Sequence, residues 1–147
     1  VILPAITRIW LEDSVMAVQF DHTIVSAHDS GASATFLTEI LGLAPPTRVG
    51  PFQVVEVDNG VSLDFLDTAG EVVHQHYAFL IGGLEFEQIF RRIQERRIAY
   101  WADPGQTRPG EINHGDGGCG FYFEDPNGHR LEVLTRRYGS SRQQHGD

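Results

Sequence analysis

The chain runs one pattern twice, and that repetition restricts its fold more than any other feature. Asp21-His22-Thr23-Ile24-Val25 opens the first half, and Gln75-His76-Tyr77-Ala78-Phe79 opens the second. Each half closes on a strand-like run with an acid at its centre, Ser62-Leu63-Asp64-Phe65-Leu66 and Arg130-Leu131-Glu132-Val133-Leu134. Phe36 follows His22 by fourteen residues and Phe90 follows His76 by the same interval, so the correspondence extends through the intervening segment. Two similar modules sharing one core are the simplest structure with that property.

Periodicity fills in each module. Phe20 to Val25 alternates as a strand, and Asp29 or Ser30 supplies an N-cap. Ala32, Phe36, Leu37, Ile40 and Leu41 then form a helical stripe closed by Gly42. In the second half Gln75 to Ile81 reads as a strand, Gly82-Gly83 as a break, and Phe86, Ile89, Phe90 and Ile93 as a helix stripe. Short strands are expected near 44–49, 52–57 and 61–66, and again near 98–102, 120–124 and 130–135. Asp125-Pro126-Asn127-Gly128 fits a tight turn. Each half is therefore βαβββ. The histidine-to-acid interval is longer in the second half by a polar, glycine- and proline-rich loop, Asp103 to Gly118, long enough to act as a lid.

In a strand, neighbouring side chains point to opposite faces, so Asp64 opposes Leu63 and Phe65, and Glu132 opposes Leu131 and Val133. If the apolar neighbours pack under the helices, both acids stand on the other face. A mid-strand carboxylate must stay solvated, find a cation or bind a metal. Paired modules are expected to present His22, Asp64, His76 and Glu132 to one centre. Two imidazoles with carboxylates suit zinc, nickel, cobalt, manganese or iron as a divalent ion.

Bulk properties exclude several function classes. The net charge of −9 disfavours a nucleic-acid surface. Arg91, Arg92, Arg96 and Arg97, on one predicted helix, read as a solvated face. No stretch is long and apolar enough to span a bilayer, so no membrane partner is expected. Cys119 is the only cysteine among 147 residues, which rules out an internal disulfide and cysteine-rich zinc sites and fits a cytoplasmic location. Residues 1–15 read as an extension upstream of a natural start near Met16. A single domain is expected over 16–137, its modules at about 18–68 and 74–137, with a frayed polar tail at 138–147. His28, His129 and His145 read as solvent-facing, and His74 as a neighbour of His76 at a cavity mouth.

The strand starts at Asp21-His22 and His76, together with Asp125-Pro126-Asn127-Gly128-His129 leading into Leu131-Glu132, resemble the vicinal oxygen chelate superfamily. That superfamily includes glyoxalase I, extradiol dioxygenases, and fosfomycin- and bleomycin-resistance proteins. The resemblance covers about residues 18–137 and implies an α+β fold, two βαβββ modules making an open, eight-stranded barrel-like sheet with helices outside. It implies His22, His76 and Glu132 as metal ligands and Asp64 at the place of a fourth. It also implies a small-molecule substrate that chelates the metal through neighbouring oxygens, and homodimers, which are common among relatives.

Glyoxalase-like isomerase or lyase chemistry, with Glu132 moving the proton, is the leading expectation because Asp64 is present. An Fe(II) ring-cleaving dioxygenase is the runner-up. There Tyr122, ten residues before Glu132 and on the same face, and His114, in the preceding loop, would assist catalysis. A non-catalytic drug-binding protein is the third reading.

Overall fold

Local signals set the first helix as the sequence predicts. Asp29 is extended and its carboxylate accepts from the Ala32 amide, while Gly42 closes the helix at φ 71°, where a side chain would be strained. The computed structural model describes residues 17–145, so the expected extension over 1–15 and the start at Met16 lie outside the described residues. The first module runs β1 (His22–Ala27), α1 (Ser30–Leu41), β2 (Thr47–Val49), β3 (Phe52–Glu56) and β4 (Ser62–Asp67). The second runs β5 (His76–Leu80), α2 (Gly83–Glu95), β6 (Tyr100–Trp101), β7 (Gly120–Glu124) and β8 (Arg130–Leu134). No helix among the described residues is long and apolar enough to cross a membrane.

The modules repeat one topology. Each is a four-stranded sheet, in the order β1-β4-β3-β2 and β5-β8-β7-β6, with a parallel first pair and antiparallel pairs beyond it. The α+β class and paired modules are thus as the sequence implies, but the sheets do not close into a barrel. Among the described residues no ladder joins them, and β1 and β5 are edge strands.

One core explains why. Val25, Leu63 and Phe65 of the first sheet and Phe121, Phe123, Leu131 and Val133 of the second belong to a single buried cluster. Leu37 and Ile40 of α1 and Ile89 and Ile93 of α2 complete it. Burying each such side chain contributes about 2 kcal/mol. The odd-numbered residues of β1, β4, β5, β7 and β8 face this shared core, and the even-numbered ones face away from it. Each sheet thus turns one face to the shared core and the other away from it.

Polar contacts fasten the modules. Arg92 of α2 donates to the Ile40 carbonyl at 3.0 Å, capping the last turn of α1, and Arg96 pairs with Glu39 at 2.8 Å. Two of the four arginines, Arg92 within α2 and Arg96 at its C-cap, thus hold the interface between modules rather than a bare solvated face, and Arg97 lies past the helix end. The β7–β8 turn does more. Asn127 donates to Ser33 Oγ at 2.9 Å and accepts from the His28 amide at 2.8 Å. His129 is 1% exposed, not solvent-facing. Its Nδ1 accepts from the Gln75 amide, and its Nε2–H donates to the Ser26 carbonyl at 2.7 Å. Burial of that ring is tolerated because both nitrogens are satisfied.

The tail is pinned rather than frayed at its start. The Asp116 carboxylate, in the long loop, accepts from the Gly139 and Ser141 amides and leads the chain into a 3-10 turn, Ser140–His145.

Candidate metal centre and adjoining cavity

Strand parity delivers four donors to the open faces, in two pairs. On the second sheet, Ala78 of β5 stands opposite Glu132 of β8, which sets His76 diagonal to Glu132 on one face. His76 Nε2 lies 3.1 Å from Glu132 Oε2. His76 Nδ1 lies 3.1 Å from the Arg130 carbonyl, which can only accept. Nδ1 therefore carries the proton, and in the neutral ring Nε2 has only a lone pair to offer. A lone pair and a carboxylate do not attract, so this approach needs a proton or a cation between them. Two donors each about 2.1 Å from a shared ion, at near a right angle, sit roughly 3 Å apart. The pair fits a divalent metal.

On the first sheet, His22 is built the same way. Its Nδ1 lies 2.7 Å from the Asp21 carboxylate, which holds the imidazole above its ordinary pKa and leaves Nε2 outward. Fixing one ring nitrogen on an acceptor while freeing the other is how proteins prepare histidine for a metal. Asp64 lies close enough to add to the field at His22, and it accepts from Ser62 Oγ at 2.8 Å.

The four donors do not meet in one chain. Among the described residues, no group of three or more His, Cys, Asp or Glu side chains gathers around a common point. The physical reason is the shared core: His22 with Asp64 and His76 with Glu132 each stand on a sheet face turned away from it. Exposed apolar residues accompany them, Ile24 at 52% on the face of His22 and Leu80 at 48% on the face of His76.

Tyr122 pairs directly across from Glu132 in the β7–β8 ladder. Partial burial and the neighbouring Glu132 carboxylate push its phenol up to about 12, so it keeps its proton throughout the neutral range. Its ring stacks on His76 with centroids 5.9 Å apart. Beside them opens a cavity of about 470 Å³ whose wall includes Ala102, Pro104, Ile112, His114, Tyr122 and Glu132. A second, of about 480 Å³, lies between His74, His76, Tyr122 and Arg130. His74 thus takes its expected place at a mouth.

The loop over 103–118 walls the cavity and is anchored at several points. Asp103 accepts from the Thr107 and Arg108 amides, and Arg130 donates to the Pro104 carbonyl. Asn113 bridges to Gly120. His114 sits in this wall with Nδ1 3.0 Å from the Gly118 carbonyl, which makes Nε2 the basic atom of the neutral ring. Cys119 lies 3.6 Å from the same Nδ1.

Sequence reasoning assigned no role to Asp21 or Arg130. Asp21 was detectable as an acid adjoining a donor histidine. Arg130 orients His76 through its backbone carbonyl, which leaves no trace in residue type.

Residues 19–133 match the Glyoxalase/Bleomycin resistance protein/Dioxygenase superfamily. The chain belongs to this superfamily. Two solved structures, named Oxidase ChaP-H2 and Oxidase ChaP-H1, are each 61% identical to it. The first superposes with a TM-score of 0.84 over 86% of this chain and 99% of its own. The second does so with 0.83 over 84% and 100%. The glutathione transferase FosA of Serratia marcescens is 29% identical over 126 residues, 80% of this chain and 81% of its own length.

Proposed function

We propose that the protein is a divalent-metal-dependent oxidase that uses O₂ on a small substrate presenting neighbouring oxygens, with its centres assembled from two copies of the chain. The observation that carries the reading is the matched pair of prepared imidazoles, His22 and His76, each tied through Nδ1, with Glu132 beside the second. Two histidines and one carboxylate with open positions suit Fe(II) oxygen chemistry. Identity of 61% to two proteins named oxidases favours oxidation over isomerisation.

His76 and Glu132 of one copy and His22 of another would hold the ion. The bound metal would supply an electron path between substrate and O₂ and polarise the substrate's oxygens. Tyr122 keeps the Glu132 carboxylate oriented by donating to it. His114 can take a proton from a substrate hydroxyl at Nε2, its Nδ1 being committed to Gly118. The wall over 103–118 limits water beside Glu132. In its simplest balanced form a diol loses two electrons and two protons to O₂, giving a dione and hydrogen peroxide. In ring cleavage both oxygen atoms stay in the product.

Complementation tests the shared centre. His22→Ala and Glu132→Ala each remove a ligand, but a mixed dimer contains one site with neither lesion. Co-expressing the two inactive variants in equal amounts should restore about a quarter of wild-type oxygen uptake, since half the dimers then hold one intact site of two. No recovery, despite mixed dimers seen by mass spectrometry, would place the ligands in one chain. Absence of stoichiometric metal after iron reconstitution would remove the oxidase reading itself. A second reading, glyoxalase-like isomerisation, is favoured by Asp64, whose carboxylate lies on the open face near His22. Metal-dependent turnover without oxygen uptake would select it.

A further inference from the structure

The charges around the cavity beside Glu132 are unequally committed. Asp103 and Asp116 both border it, yet each carboxylate is used by the chain itself. Asp103 accepts from the Thr107 and Arg108 amides and the Thr107 hydroxyl; Asp116 accepts from Gly139 and Ser141. Arg108 and Arg136 border the same cavity, and neither forms an ion pair with a carboxylate among the described residues, although Arg108 lies in the field of Asp103.

Arg136 lies exposed just past the end of β8, at a bend in the chain. Its Cβ and Cγ lie over Gly118 and its guanidinium reaches Gly117. A methyl group at Gly118 would come within 3.0 Å of Arg136 Cγ and 2.6 Å of Thr135 Oγ1. Only glycine leaves room for the side chain there. Among the described residues the guanidinium makes one hydrogen bond, a long one of 3.4 Å to the Asp116 carbonyl.

We infer that the cavity selects an anionic substrate, with Arg136 as the residue that binds its oxyanion group and Arg108 as a second cation bordering the same cavity. This rests on the reading of the cavity as the substrate site. One end of the molecule offers neighbouring oxygens at Glu132, and the other carries a carboxylate or comparable oxyanion. A planar guanidinium with free N–H groups suits two oxygens on one centre. Ala102, Ile112 and Leu134 add apolar surface to the same cavity.

The test compares 3,4-dihydroxycinnamate, which has a diol at one end and a carboxylate at the other, with its neutral primary amide. Binding of each to the zinc-loaded and metal-free protein is measured by calorimetry, and zinc affinity is measured separately. The acid should bind about tenfold more tightly than the amide, a typical effect of one charge-assisted contact. Arg136→Gln should erase that preference and leave both amide binding and zinc affinity unchanged. Arg136→Lys should keep part of it. Equal binding of acid and amide to the wild type, a preference that survives Arg136→Gln, or no binding of either probe would each overturn the inference. Loss of zinc binding in the wild type, with the acid still preferred, would instead overturn the metal reading alone.

Discussion

Tyr122 and Glu132 face each other across the β7–β8 ladder, and partial burial together with the neighbouring carboxylate keeps the phenol protonated up to about pH 12. The pair joins the candidate metal ligand to the wall of the cavity, because both residues line it. A ligand oriented by a neighbouring hydroxyl loses orientation, not identity, when that hydroxyl is removed.

Tyr122→Phe should therefore keep the fold and the metal stoichiometry but weaken metal affinity or turnover by about ten- to a hundredfold, the usual effect of removing a group that orients a ligand. A chelator competition titration measures the first and oxygen uptake the second. Wild-type values for both would mean the hydrogen bond is incidental.

Removing the ligands themselves should separate the two acids. Glu132→Ala is expected to abolish metal retention, whereas Asp64→Ala should weaken it less, because Asp64 already accepts from Ser62 and adjoins only His22. Metal analysis of the purified variants decides. Equal retention in the Glu132 variant and the wild type would remove Glu132 from the centre.

Asn127→Ala should destabilise the fold by about 2–4 kcal/mol, read by urea unfolding, with no direct role in metal binding. The change strands the His28 amide and Ser33 hydroxyl and takes two donors' worth of contacts from Asp125 and Ser33. A loss below about 0.5 kcal/mol would show that water replaces the amide.

Acid should weaken the protein in a definite window. Asp116, through the Ser141 hydroxyl and amide and the Gly139 amide, and Asp67, through Ser30, are held below the ordinary carboxylate value of 3.8. In that range the unfolded chain binds more protons than the folded one, so stability falls as pH falls. The contribution is complete above the unfolded value and disappears as pH drops through the folded one. Melting temperatures between pH 5 and pH 2.5 should decline, and Asp116→Asn should decline less steeply. Parallel curves would count against Asp116.

Much of the site is legible in the sequence because strand alternation is a strict rule. It places Glu132 with Tyr122 and His76, and Asp64 with His22, on faces opposite their apolar neighbours. Alternation says nothing of which way two modules turn. The expectation that all four donors share one centre fails within a chain because the helices and the odd-numbered strand residues of both modules fuse into one core. His129 illustrates a second limit. Its partners are the Ser26 carbonyl and the Gln75 amide, and backbone groups far away in the chain carry no signature in residue type. Its buried neighbours Asp125 and Asn127 did carry a hint, since acids and amides beside a tight turn must bond something if they are enclosed.

The turn over 125–129 has a further meaning for the chemistry. Asp125 takes the amides of Asn127 and His129, and its carbonyl takes that of Gly128, so the turn admits one length only. Side chains alternate from that turn onward, and Glu132 is three residues away. An insertion of one residue there would not loosen the centre by degrees. It would exchange Glu132 for Leu131 on the open face and drive a carboxylate into the core. The loop length is thus a binary setting, and evolution or design can tune this centre by substitution but not by a single-residue shift of its frame.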